Sequence, residues 1–170
     1  MVYLATDHTG FELKEKVKAF LQKEGYEVTD YGAHYYDEDD DYPDFVSKAA
    51  EMVSKDPDNA KGVIFGGSGE GEAMVANKYK GVRCALFYAP ALPVQAVNIE
   101  GRTSSDPFEI LRLTREHNWA NILSIGVRFL KEEDALKAIK LWLDSPAPTD
   151  QKHVRRVEKI KKIEELERSN

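Results

Sequence analysis

A short apolar run, Gly62-Val63-Ile64-Phe65, gives way to Gly66-Gly67-Ser68-Gly69-Glu70-Gly71-Glu72, and Ala73-Met74-Val75-Ala76-Asn77-Lys78 then reads as a helix. Glycines let a backbone curl with its N–H groups inward, which makes an anion-binding nest at a helix start. A carboxylate beside such a nest sets a proton acceptor next to donors that stabilise negative charge. Abstraction of a proton next to a carbonyl needs that pairing. Glu72 is the candidate base and Glu70 its competitor, since a turn could present either; each also reads as a helix-start carboxylate facing the macrodipole. Ser68 adds a hydroxyl to the nest or serves as a turn or cap residue. A phosphosugar-binding module without catalysis would use the same glycines, but it would gain nothing from Glu72.

The elements that must position this loop alternate. Val2–Thr6 reads as a buried strand, with a helix carrying Leu13, Val17, Phe20 and Leu21 that stops near Gly25. Strands follow at Tyr26–Tyr31, Val63–Phe65, Val82–Tyr88 and Asn121–Gly126, and helices at Phe45–Met52, after the glycine loop, around Arg115–Asn118, at Glu132–Leu143 and at Gln151–Glu167. This order predicts a three-layer, Rossmann-like α/β sandwich with a five-stranded parallel sheet and an extended C-terminal helix. Ligands of such sheets sit beyond the carboxyl ends of the strands. Asp7-His8 after strand one, the glycine loop after strand three and Arg128 after strand five all fall there. Asp7 also reads as a cap of the helix that follows it.

The 170 residues suit a single domain, 1–170, with a long excursion at about 89–107. The excursion carries Leu92, Val94, Val97 and Ile99, which favours an ordered segment over a disordered one. A net charge of −6 excludes a general nucleic-acid binder. No apolar run reaches the ~20 residues of a membrane span, and Met1–Asp7 lacks a secretion signal, so the cytoplasm is expected. Cys84 is the single cysteine, in keeping with a reducing compartment, and reads as a small buried residue. His8, His34, His117 and His153 lack close metal-ligand spacing, so no metal is expected. The basic residues bunched near the end (Lys152, Arg155, Arg156, Lys159, Lys161, Lys162) read as a solvated helix face or as an anion site.

Asp7-His8 with Phe11–Lys14, Asp41-Tyr42-Pro43, Gly66–Glu72, Ala76-Asn77-Lys78, Gly81-Val82-Arg83, Arg115–Asn118 and His153 with Arg155-Arg156 appear in that order. Together they resemble the ribose-5-phosphate isomerase B and galactose-6-phosphate isomerase family, from Val2 to about Ile163, interrupted by Ala89–Asp106. The resemblance implies an aldose–ketose isomerase that works through an enediolate without metal or organic cofactor. It also implies a homodimer, in some members a tetramer, whose active sites are shared between subunits. Many members use a cysteine at the first position of the glycine loop as base. Here Gly66 stands there and Glu72 follows six residues later, as in a second branch of the family.

Under that resemblance Glu72 moves a proton between C1 and C2 of the substrate, and His117 opens the furanose ring. Backbone N–H groups around Gly67, Ser68, Gly69, Glu70 and Gly71, with Gly66 beside them, hold the enediolate oxygens, joined by Asn118. Asp7 lies near the sugar hydroxyls and His8 near the phosphate. Arg128, His153 and Arg156 are implied phosphate ligands; Lys152 replaces a common arginine and supplies charge without the planar fork.

Overall fold

Alternation along three central strands divides the interior in two. The computed structural model describes residues 1–167, so the last three residues of the expected domain lie outside it. In β1 (Val2–Thr6), Val2 and Leu4 enter one apolar cluster and Ala5 the other. In β3 (Lys61–Gly66), Val63 and Phe65 point one way and Ile64 the other; in β5 (Ile122–Gly126), Leu123 and Ile125 oppose Ile122. This is the period-two signature of a sheet buried on both faces.

One face is covered by α1 (Phe11–Lys23), α4 (Glu109–Glu116) and α5 (Glu132–Asp144), through Val17, Leu21, Leu111, Ile139 and Trp142. The other is covered by α2 (Pro43–Lys55) and α3 (Glu70–Ala76), through Val46, Ala49, Ala50, Val53 and Ala76. Full burial of a leucine- or isoleucine-sized side chain is worth ~1.5–3 kcal/mol, so these two clusters dominate what holds the layers together.

All strands run parallel in the order β2-β1-β3-β5-β4, with β2 at Val28–Asp30 and β4 at Cys84–Phe87. The fold class is the expected one, but both edge strands are shorter than the sequence pattern suggests. Tyr26 is spent closing α1, its N–H donating to the Leu21 carbonyl, and Gly25 turns the chain at φ +86°. Arg83 N–H donates to the Asn121 side chain and Val82 N–H to Tyr79, so neither joins the ladder. Because β1, β3 and β5 lie side by side, the sheet brings Asp7, the glycine loop and Arg128 to one edge.

The excursion is ordered, though by a different means from the one its composition suggests. Its neck is closed by Ala91 N–H on the Pro107 carbonyl at 2.8 Å, and an inner turn by Val97 N–H on the Arg102 carbonyl at 2.8 Å. Arg102 is tied to Glu109 at 2.8 Å and lies 3.9 Å from Glu116. The apolar side chains do not pack inward: Val94 is 96% exposed and Ile99 79%. In α6 (Gln151–Glu167) the expected buried stripe is likewise cut short. Val157 is buried, whereas Ile160, Ile163 and Leu166 are exposed. No helix among the described residues is long and apolar enough to cross a membrane.

Candidate active site

The glycine loop leaves β3 and is pinned from three sides. Gly69 adopts φ +79°, and a Cβ there would meet Leu86, Ser124 Oγ and Gly126 N within 3.1 Å. The Ser124 hydroxyl donates to the Gly69 carbonyl at 2.6 Å, and Arg128 N–H donates to the Gly67 carbonyl at 3.1 Å. The Tyr42 hydroxyl rests against Gly71, where a Cβ would come within 2.6 Å of it. Only a residue without a side chain allows such close approaches and the left-handed turn.

The fold treats the two loop carboxylates differently. Glu70 is exposed, while Glu72 is buried with its carboxylate lying over Gly66. A Cβ on Gly66 would stand 1.8 Å from Glu72 Oε1. Burial raises the Glu72 pKa above the usual carboxylate range; its own backbone N–H opposes the rise and the charge of Asp7 adds to it. Such a group is a better proton acceptor than an exposed glutamate at neutral pH. Ser68 is exposed, and its hydroxyl accepts the Glu70 N–H at 3.3 Å, the turn-residue role.

Beside this loop, Asp7 is buried and accepts from the backbone N–H of Thr9 at 2.9 Å and from its hydroxyl at 2.5 Å. Asp7 thus caps the 3-10 turn His8–Gly10 rather than α1 as expected, because that turn intervenes and Gly10 takes the cap position of α1. His8, Glu12, Tyr36, Glu38 and Arg128 line a hollow of about 490 Å³. His8 bonds to Asp40 at 2.7 Å, and this bond raises the imidazole pKa. Among the described residues, Asp7, His8 and Asp40 are the one group whose potential metal-ligand atoms all lie within 4.8 Å. Nothing in the acidic run around Asp40 marks it in the sequence as a partner of His8, nor does the sequence show the contact of Tyr42 with the nest.

The remaining predicted residues gather elsewhere. His117, at the carboxyl end of α4, stacks on His153 of α6 with ring centroids 3.9 Å apart and planes 7° from parallel. The α4 end is closed by Trp119 at φ +51°, whose ring takes Arg83 on one contact and Lys161 of α6 on another. Asp150 caps α6 by accepting the Lys152 N–H at 2.7 Å. His117, Lys152, His153 and Arg156 line a hollow of about 320 Å³ together with Asn98 and Glu100 of the excursion. Burial, then the neighbouring His153, lowers the His117 pKa, which keeps its imidazole neutral and able to accept a proton near pH 7.

The hollows holding His117 share no residue with the one holding His8 and Arg128. On a single chain the predicted residues therefore gather in two separate groups. Asn118 belongs to neither: it is exposed and borders a third hollow with Asn77, Cys84 and Glu164. Cys84 is half-buried against the second apolar cluster rather than fully buried as expected, since its edge strand leaves it at the rim of that hollow, and desolvation drives its thiol pKa far upward, which disfavours the thiolate.

A family model described as Ribose/Galactose Isomerase matches residues 2–100 and 103–160. The match runs through most of the excursion rather than stopping at its borders, leaving only Gly101 and Arg102 between its two segments. Ribose-5-phosphate isomerase B of Mycolicibacterium paratuberculosis is 37% identical over 163 residues, 96% of this chain and 91% of that protein. The crystal structure of ribose-5-phosphate isomerase B from Mycoplasma genitalium, with ribulose-5-phosphate bound, has a TM-score of 0.83 at 32% identity, covering 96% of this chain and 95% of that one. The enzyme of the same name from Clostridium thermocellum gives 0.80 at 34%, with 97% of each chain covered. With its sheet order, its glycine nest and this near full-length likeness all in agreement, the chain belongs to the ribose/galactose isomerase family.

Proposed function

We propose that this enzyme interconverts ribose 5-phosphate and ribulose 5-phosphate, with Glu72 as the base. His117 takes the proton of the O1 hydroxyl and returns one to the ring oxygen, opening the furanose to the aldehyde. Glu72 then removes the C2 proton, and charge develops on O1 of the enediolate, where the loop N–H groups receive it. Return of the proton to C1, with transfer of the O2 proton to O1, completes the ketose. Donors aimed at a developing oxyanion contribute ~3–4 kcal/mol each, against ~1 kcal/mol for an ordinary net hydrogen bond. His8, Arg128, Lys152, His153 and Arg156 hold the phosphate, and Asp7 the sugar hydroxyls.

The observation that carries this reading is the buried Glu72 carboxylate lying over Gly66, beside the nest, while Glu70 faces solvent. Glu72→Gln should lower kcat by about 10³-fold or more, within the range of general-base catalysis, and abolish solvent-proton exchange at C2 of ribulose 5-phosphate. Glu70→Gln should retain most turnover. The reverse result reassigns the base. The chemistry asks for no metal, so a chelator should leave the rate unchanged.

The separation of the two groups favours a homodimer in which the Glu72 group of one subunit faces the His117 group of another. The exposed Leu92, Val94 and Ile99 of the excursion offer apolar surface for that contact. Asn98 and Glu100 bring the same segment to the His117 hollow, so it shapes either the sugar-binding wall or the subunit contact of one 1–170 domain. The cytoplasm suits this role, and an unpaired Cys84 agrees with it.

A further inference from the structure

The acidic run before α2 makes a contact that the proton-transfer chemistry leaves unused. One oxygen of Asp40, Oδ1, accepts both the His8 backbone N–H at 2.9 Å and the His8 imidazole at Nδ1, 2.7 Å away. The Asp40 side chain is only 10% exposed, and its other oxygen, Oδ2, has no hydrogen-bond partner in the structure. A carboxylate can only accept here, so Nδ1 carries the proton and Nε2 is the nitrogen left for a ligand. Tyr36 stands edge-on to the ring at 6.1 Å and brackets it from one side.

We infer that Asp40 is a positioning residue for phosphate recognition: it locks the His8 ring through Nδ1–H and so presents Nε2–H, as a cationic donor beside Arg128, to the phosphate of the sugar. This rests on the phosphate role given to His8 above. The charges of the hollow show why a fixed cation is needed. His8 and Arg128 share it with Glu12 and Glu38, and with the Tyr36 phenol. A neutral imidazole would leave Arg128 as the one cation facing Glu12 and Glu38, with Asp7 and Asp40 behind the ring, whereas a protonated one adds a second cation before a phosphate arrives. The Asp40 hydrogen bond is the main reason that the His8 pKa lies above its ordinary value. Burial opposes this, the charges of Asp7 and Asp40 reinforce it, and Arg128 works against it. A charged donor also makes a hydrogen bond to phosphate roughly twice as strong as a neutral one.

Asp40→Asn keeps an acceptor for the two His8 donors and removes the charge that holds the ring protonated. The test compares kcat and KM for ribose 5-phosphate from pH 6 to pH 8.5 in the parent, Asp40→Asn, Asp40→Glu, His8→Gln and the Asp40→Asn/His8→Gln double variant. Substrate phosphate titration is common to all and cancels in the ratio of KM values. Asp40→Asn should raise KM about tenfold at pH 8, the scale of exchanging a charged for a neutral hydrogen-bond donor, with kcat within about twofold. The ratio should shrink as the pH falls toward 6 and more of the ring is protonated in both proteins; Asp40→Glu should restore part of the loss. On the His8→Gln background, Asp40→Asn should add nothing. An NMR titration of the His8 Cε1 proton, assigned by its loss in His8→Gln, should show a lower pKa in Asp40→Asn. A KM ratio flat with pH, a loss confined to kcat, or additive effects in the double variant would overturn the inference while leaving the isomerase reading intact. Unchanged KM in His8→Gln would instead remove the phosphate role of His8, and the Asp40 inference with it.

Discussion

The surroundings of Glu72 and of His117 are held in opposite ways. The loop before Glu72 is fixed by backbone: the ends of β3 and β5, three hydrogen-bonded or close-packed glycines and a buried hydroxyl, Ser124, set the nest beside which the buried carboxylate lies over Gly66. His117 is held by side chains at the carboxyl end of a helix, stacked on a ring from α6 and bordered by an excursion without regular secondary structure. The first is rigid because sheet ends are rigid. The second depends on how α6 and the excursion dock. Under the proposed roles, the group that must meet a carbon acid precisely in space sits on the part held by sheet ends, and the group that swaps protons between oxygens on the part held by side chains.

The contrast can be broken most severely at Gly66. Gly66→Ala places a methyl group where the Glu72 carboxylate lies, and since a side-chain end can swing aside, the fold should survive while kcat falls about 10²-fold or more. Circular dichroism and turnover, measured together, would check it; a variant with near-parental kcat would mean that the buried position of Glu72 is not the catalytic one. Heat stability sharpens the point in the opposite direction. The folded state raises the Glu72 pKa, so the ionised carboxylate costs stability above its unfolded pKa, and that cost disappears as pH falls through the folded value. The inactive Glu72→Gln protein should thus melt no lower than the parent at pH 7.5, and the gap should close in acid.

A smaller and more selective loss is expected at the other half. His117→Asn should slow turnover of ribose 5-phosphate by about 10²-fold, the scale of one proton-transfer group, and spare an open-chain analogue. Equal losses on both substrates would count against a ring-opening role. The mildest change should come from shortening 92–105 to a brief linker across the Ala91–Pro107 neck. That variant should keep kcat within about tenfold and shift either the preference among pentose and hexose phosphates or the mass in sedimentation; no movement in either would show the excursion to be ornamental.

What could be read from the chain alone follows the reach of each signal. The glycine nest, the central strands and the alternation of elements are encoded within a few neighbouring residues, so they were legible. Pairing between Asp40 and His8 joins positions 32 residues apart, and an acidic run by itself looks like solvated loop. The excursion misled in part because apolar composition suggests burial, whereas Val94 and Ile99 face outward and backbone hydrogen bonds with Arg102 supply the order. The stripe of α6 reads as one surface in sequence, yet Val157 alone of it is fully buried, with Val154 half-buried and the rest exposed. Asn118 follows His117 directly, but the left-handed turn at Trp119 ends the helix there and Asn118 borders a different hollow.

The 1.8 Å between a Cβ on Gly66 and the Glu72 carboxylate also bears on descent. Any side chain at position 66 and the Glu72 carboxylate in its present place would compete for one volume, so a change at either position in the history of this chain would have obliged the other to yield.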